Sequence, residues 1–334
     1  MAGQNFGAFV RAAAGEATES LLERTHAGGG AGNGGLRPGL PRAEGPSHVT
    51  LSRLSRHAVI VGLATCGASL LDAGNDAYAQ GKLEARYAVT LGGVSFGQGS
   101  WTIDVGADQY TAAVSGTTVG IVRIFASGQG SSAVRGIVSN GQPMVSSYAS
   151  SIQTDKKYDE VRMVLSGGAV KDAIADPPSV PNPERIPITE AHRRGVTDPM
   201  TGTIIRVPGS GDTFTPEACH RKVAIFDGRM RYDLTLQFKR LDKVKADKGY
   251  QGTVVVCAVY FSPVAGHVPD RPVIKYLSDL RDAEVWFAPI AGTRLLVPYR
   301  ASIPTPLGNG VLQATQFVSV PYPQRASANG IRSQ

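Results

Sequence analysis

The sequence predicts a mainly β protein, an antiparallel curved sheet or partly open β-barrel with one or two short helices. Three observations predict it. Gly 40 and Pro 21 among 334 residues stand above the roughly 7% and 5% of an average chain, which favours a turn-rich β protein over a helical bundle. Several segments alternate apolar and polar residues with the period of two of a half-buried strand. Turn signals recur between them at even spacing, as in meanders and barrels.

In chain order, Tyr87, Val89 and Leu91 alternate with Arg86, Ala88 and Thr90, and Trp101, Ile103 and Val105 alternate with Thr102 and Asp104. Gly92-Gly93, with Gly97 and Gly99 beyond, reads as the hairpin connection between these two strands. Further strands are expected around 109–115, 118–126, 133–138, 145–154, 158–165 and 169–174, with turns at Gly128-Gln129-Gly130, Asn140-Gly141 and Gly167-Gly168. The prolines at 177, 178, 181, 183, 187 and 199 make a long connection over 176–211, with one helical turn near Glu190–Arg194. A connection of this length is functional or a linker. The ladder then resumes. Tyr232, Leu234, Leu236 and Phe238 face one way, while Arg231, Asp233, Thr235, Gln237 and Lys239 face the other. Thr253–Phe261 is apolar on both faces, as a central strand is, and Pro269–Asp282 is the clearest helix, with Val273, Leu277 and Leu280 on one side. Strands near 284–290, 293–303 and 311–320 complete a single β domain over 80–320 whose two halves share one sheet, and 321–334 reads as a disordered tail.

The first 79 residues belong to a different class. Residues 1–48 carry a glycine run from Gly28 to Gly35 and then Pro38, Pro41 and Pro46, too little apolar surface to offset the entropy of ordering. From 49 the pattern is that of a secretory signal peptide: Arg53, Arg56 and His57, an apolar stretch from Ala58 to Leu71, then Ala77-Tyr78-Ala79 before Gln80. Cleavage is expected between Ala79 and Gln80. Because Val49 is a residue that a GTG start codon encodes, the expectation is that 1–48 is an over-extended reading of the gene. Cys66 follows Leu63-Ala64-Thr65, a faint lipoprotein-box pattern, but Thr65 suits lipidation poorly and Cys66 reads as an apolar signal residue.

Export sets the remaining chemistry. Removing 1–79 takes out six Arg and six acidic residues, so the net charge of +7 stays with the exported chain. Such a balance suits anionic lipid headgroups or acidic polysaccharide, whereas export leaves nucleic acid out. The charges are scattered, and simple solubility also accounts for them. No apolar stretch reaches the roughly 18 residues of a membrane-spanning helix. The exported chain keeps Cys219 and Cys257, which predict one disulfide in an oxidising compartment; the alternative is two separate buried thiols.

Local motifs for catalysis fail on context. Gly93-Val94-Ser95-Phe96-Gly97 fits a nucleophile elbow, but a strand follows it where that elbow needs a helix. Gly128-Gln129-Gly130 lacks the helix of a dinucleotide loop. His192, His220 and His267 have no zinc-ligand spacing, and no C-x-x-C pair exists, so no metal or cofactor is expected. Asp198, Asp227, Asp233 and Glu284 are available for an acid pair, although none is marked by its neighbours. Two basic clusters remain as candidate anion or headgroup contacts: Arg193 and Arg194, in the long connection, and Lys243 and Lys245, within Lys239–Lys248. Each also reads as ordinary surface, a cation-stabilised helix end and a solvated hairpin tip.

Ala85-Arg86-Tyr87, Asp155-Lys156-Lys157, Glu160-Val161-Arg162 and the string from His192 to Pro199 carry a family likeness, as do Phe226–Asp233, Cys257–Tyr260 and Pro304–Gly308. On these strings the chain resembles the exported bacterial domain-of-unknown-function 3108 family, in its proteobacterial form. The resemblance implies an exported, β-rich envelope protein and brings no catalytic residue or substrate. With a curved sheet, the first functional expectation is non-catalytic, periplasmic binding of a lipid or other amphiphile, or an envelope-assembly role. The alternatives are an envelope scaffold or polysaccharide-binding module whose sheet is filled by its own side chains, and a hydrolase with a non-local carboxylate pair. A packed interior favours the scaffold or glycan module, a dry pocket the carrier, and two carboxylates across a polar cleft the enzyme.

Overall fold

The computed structural model describes residues 80–120, 127–155 and 157–322. The extension expected over 1–48, the signal peptide expected over 49–79, the tail beyond Tyr322 and most of the strand expected at 118–126 lie outside them. Seven antiparallel strands form the first half: β1 (Gly81–Leu91), β2 (Val94–Val105), β3 (Gln109–Thr118), β4 (Gly128–Ser139), β5 (Gln142–Thr154), β6 (Tyr158–Ser166) and β7 (Ala169–Asp176). After the proline-rich connection come β8 (Ile205–Arg206), β9 (Arg221–Phe226), β10 (Arg231–Lys245), β11 (Lys248–Gly249), β12 (Gln251–Ala265), helix α1 (Pro272–Asp279), β13 (Glu284–Pro289), β14 (Leu295–Ile303) and β15 (Gly310–Pro321). One sheet holds all fifteen strands: thirteen follow the path β7-β6-β5-β4-β3-β2-β1-β15-β14-β13-β12-β10-β9, β11 pairs with β15 and β8 with β14, so the two halves do share a sheet, joined where β1 pairs with β15. The path is not closed by strand pairing between β7 and β9.

Local sequence explains the hairpins. Gly92-Gly93, Asn140-Gly141 and Gly167-Gly168 all have positive φ at both residues, as the two-residue turns that match strand twist require. Gly128-Gln129-Gly130 does not turn. It lies inside β4, as Gly97 and Gly99 lie inside β2. At Gly136 the sheet demands a glycine for closeness rather than for a turn: a Cβ there would sit 2.0 Å from the Met144 carbonyl oxygen and 2.4 Å from the Tyr110 ring. The register shifts at that point, where Ser146 of β5 is the extra residue of a bulge that bends β5 against β4.

The inward face of the sheet is filled by its own side chains. Leu83, Tyr87, Trp101, Ile103, Tyr110, Val134, Tyr148 and Met163 meet Val254, Val256, Val297, Tyr299 and Phe317 in one buried cluster. The Tyr87 hydroxyl donates across this interior to the Pro298 carbonyl at 2.7 Å. The open apolar interior that a carrier needs is thus occupied by aromatic and branched residues. Outward, β2–β5 present small polar groups, as in the Ser100–Ser115 contact at 2.9 Å.

The centre of the second half, at Val254–Val259 of β12 and Val285–Ala288 of β13, is buried on both faces, which is why Thr253–Phe261 reads as apolar throughout. Its outer face packs Tyr232, Leu234, Leu236, Val255, Cys257 and Phe287 under Ile205, Val207, Ala218 and Ile274. Cys219 and Cys257 are joined by a disulfide that fastens the covering segment to the centre of β12. Arg294 pins the same segment by donating to the carbonyls of Val207, Pro208 and Gly211. Helix α1 is shorter than expected. Pro272 opens it, and Ile274 and Leu277 are its buried residues. The polar face expected for β10 is not wholly solvated either: Asp233 is buried, where Lys222 (2.8 Å) and Arg231 (2.6 Å) hold its carboxylate. Among the described residues no helix is long and apolar enough to cross a membrane.

Candidate functional site

The β10–β12 hairpin is longer than the strand beside it. β12 pairs with β13 only over Val255–Ala258, whereas β10 and β12 stay paired out to Lys245 and Gln251. The free end forms an arm that passes β13 and β14 to reach β15. There β11 pairs in parallel with Gln316 and Phe317, and the Tyr250 N–H donates to the Phe317 carbonyl at 2.8 Å. Tyr250, Tyr299 and Phe317 meet as a ring cluster with centroids 5.6–6.4 Å apart. Aromatic packing at these distances fixes the arm beyond the contribution of area alone.

Between the arm and the sheet lies an open groove of about 530 Å³. Asp242, Lys243, Lys245 and Asp247 line it from the arm, Trp286 from β13, Tyr299 and Arg300 from β14, and Gln313 and Thr315 from β15. The Trp286 indole donates from Nε1 to Asp242 Oδ2 at 2.9 Å, and the Lys243 N–H donates to Oδ1 at 2.7 Å. The indole bond and then the backbone N–H hold the Asp242 carboxyl below the usual carboxylate range, so it stays charged and its oxygens are engaged. The Arg300 guanidinium stands 5.0 Å from the Trp286 ring centroid, and its Nη1 donates to Gln313 Oε1 at 3.2 Å. Arg240 lies 5.4 Å from the same ring and is bound through both terminal nitrogens by Glu284. Lys243, Lys245 and Arg300 have no ion-pair partner among the described residues. Burial, reinforced by Asp247, pushes the Tyr299 hydroxyl upward, so it remains a neutral donor.

The family model described as a protein of unknown function, DUF3108, matches residues 86–315. The chain belongs to the DUF3108 family. A similar solved structure is the crystal structure of a beta-barrel-like protein of domain of unknown function DUF1849 from Brucella abortus, with a TM-score of 0.40 and 10% identity, covering 74% of this chain and 99% of that one. No curated protein matches the sequence.

In this DUF3108 chain the two basic clusters named from the sequence are separate. Lys243 and Lys245 line the groove; Arg193 and Arg194 do not. Arg193 closes the 3-10 turn Glu190–Arg193, lies 5.8 Å from the Phe226 ring centroid and faces Glu190 at 3.9 Å. Arg194 is exposed, its backbone bridged to Ala169. The four candidate carboxylates line no common cleft. Asp198 accepts from the Met200 and Thr201 N–H groups, Asp227 from those of Arg229 and Met230, and Asp233 and Glu284 sit in ion pairs. Ser95 sits in β2, with no helix after it. Gln80 precedes β1, and its carbonyl accepts from the Tyr322 N–H. Among the described residues no three His, Cys, Asp or Glu gather at a spacing that holds a metal. The sequence pointed to neither Arg300 nor Trp286, because the groove draws on four strands spread over residues 242–315.

Proposed function

We propose that this DUF3108 protein is a non-catalytic binding module of the cell envelope, and that its groove takes an acidic polysaccharide by its carboxylate groups. The observation that carries the reading is the convergence of Lys243, Lys245 and Arg300 on a groove lined by two carboxylates, Asp242 and Asp247, of which Asp242 is already bonded to Trp286. Arg300 is set by its ring and by Gln313 before any ligand arrives, which lowers the entropy cost of a bidentate contact. Gln313 and Thr315 supply neutral partners suited to sugar hydroxyls. The amphiphile reading needs room for an acyl chain, and the filled interior works against it. Periplasmic residence is part of the proposal. It is supported by the signal-like pattern over 49–79 and by the disulfide, which persists in oxidising compartments.

Calorimetric titration with an oligomer of galacturonic acid tests this, with the matching neutral galactose oligomer as control. The acidic oligomer is expected to bind, to weaken with added salt, and to lose roughly tenfold or more in affinity in Arg300→Gln, the scale of one charge-assisted hydrogen bond. Equal binding of both oligomers, binding of neither, or an unchanged affinity in Arg300→Gln would overturn the reading.

A further inference from the structure

The two end strands of the sheet, β7 and β9, are bridged by the proline-rich connection. The Val196 N–H donates to the Gly168 carbonyl, beside the start of β7, and the Thr197 N–H to the Ala224 carbonyl in β9, both at 2.9 Å; the Phe226 N–H returns the bond to the Thr197 carbonyl at 2.9 Å. The segment is fastened one residue later. Asp198 is fully buried, and its Oδ1 accepts from the N–H groups of Met200 (2.8 Å) and Thr201 (3.1 Å). Oδ2 meets no donor in hydrogen-bonding geometry among the described residues.

What faces Asp198 is uncharged or negative. The Tyr110 hydroxyl, from β3, bonds Thr201 Oγ1 at 2.6 Å. Tyr148, from β5, is fully buried, with its hydroxyl raised first by burial and then by the charges of Asp198 and Asp227. Ser132 and Ser150 are buried on the neighbouring strands. No Lys or Arg nitrogen lies within 4.0 Å of the Asp198 carboxyl among the described residues, since Arg193 pairs with Glu190 and Arg194 is exposed. A carboxylate there would be buried without a counter-charge, a costly arrangement that favours the neutral acid. Burial accordingly raises the Asp198 carboxyl above its ordinary value, outweighing the bonds from Thr201 and Met200 that favour the ion.

We propose that residues 194–203 are a proton-operated latch: with Asp198 uncharged the segment closes the seam between β7 and β9, and loss of that proton to water releases it. The step breaks one O–H bond and leaves a carboxylate that gains hydration only when the segment lifts. The sign follows from linkage. The closed form holds the proton more tightly than the open form, so closure is strongest below the ordinary carboxyl pKa of about 4. That advantage then fades as pH rises to the elevated value, and levels beyond it.

Two measurements on the unreduced protein test the latch. A carbon-13 carboxyl NMR titration should give Asp198 a midpoint above the ordinary value of about 3.9. Hydrogen exchange should show the Val196, Thr197 and Phe226 amides opening about tenfold more per pH unit than in Asp198→Asn, from about pH 4 until Asp198 has titrated. The amides of Leu83 and Ala85, inside β1, should show no such difference. An Asp198 midpoint at or below the ordinary value overturns the latch, as does equal seam protection in both proteins at every pH. Should Asp198→Asn fail to fold, the titration midpoint and the exchange of seam amides relative to β1 in the unaltered protein decide alone.

Discussion

Replacing Cys219 and Cys257 together with alanine is expected to lower the unfolding free energy by about 4 kcal/mol. The two residues are 38 apart in sequence, and on the chain-entropy model a loop of that size, closed in the unfolded state, stabilises the fold by about this amount. The bridge ties the segment after the 3-10 turn Pro216–Ala218 to the middle of β12, so its loss also frees the cover over Leu234, Leu236 and Phe287. For a domain of this size the change should appear as a fall of about 8–16 °C in Tm. Equilibrium denaturation in urea, comparing the unreduced parent with the double variant, reads it directly. A difference under about 1 kcal/mol would mean that the cover is held without the bridge. Both cysteines are fully buried, so reductant should act on the native protein only through unfolding or local opening.

The second large effect is expected at Phe317. Phe317→Ala should cost about 3–5 kcal/mol, the range for emptying an aromatic site in a packed core. Its ring is fully buried between Tyr250 and Tyr299, 5.8 and 5.6 Å from their centroids. The consequence goes beyond a cavity, because the same residue anchors the hairpin arm through its pairing with Gly249. Loosening the arm moves Lys243 and Lys245 away from Arg300, so the variant should also bind an acidic oligosaccharide more weakly at temperatures where it remains folded. Circular dichroism on melting, followed by titration well below Tm, separates the two effects. Unaltered stability, or full affinity in a destabilised variant, would show that the ring cluster does not hold the groove.

How far the sequence exposed this arrangement depended on how local each signal was. Trp101, Ile103 and Val105 alternate with polar neighbours, and the structure buries all three. The Asn140-Gly141 turn was legible because its conformation is written in two residues. Gly128-Gln129-Gly130 was misleading for the opposite reason: glycine permits a turn without requiring one, and here β3 and β5 pair with it on both sides. β9 went unread because Arg221–Phe226 has no alternation. Val223 and Ala224 are half-buried, Ile225 and Phe226 fully buried, and Lys222 reaches sideways to Asp233. Asp233 itself looked solvated because Lys222, which accompanies it inward, comes from the paired strand β9, while Arg231, two residues away on the same face, read as part of a solvated stripe. The groove was legible only in Lys243 and Lys245. Trp286, Arg300 and Gln313 join them through strand register and the reach of an arm whose end pairs with β15.

The most direct test of a filled, unclosed sheet that binds at an outer groove is native mass spectrometry of residues 80–334, produced in a bacterial periplasm and kept unreduced. The expected mass is that of the bare chain, two hydrogens below its reduced form, with no adduct that organic solvent removes. A lipid-sized addition that organic solvent strips away would contradict the account, because it would place an amphiphile in an interior that Trp101, Tyr148, Tyr299 and Phe317 are held to occupy.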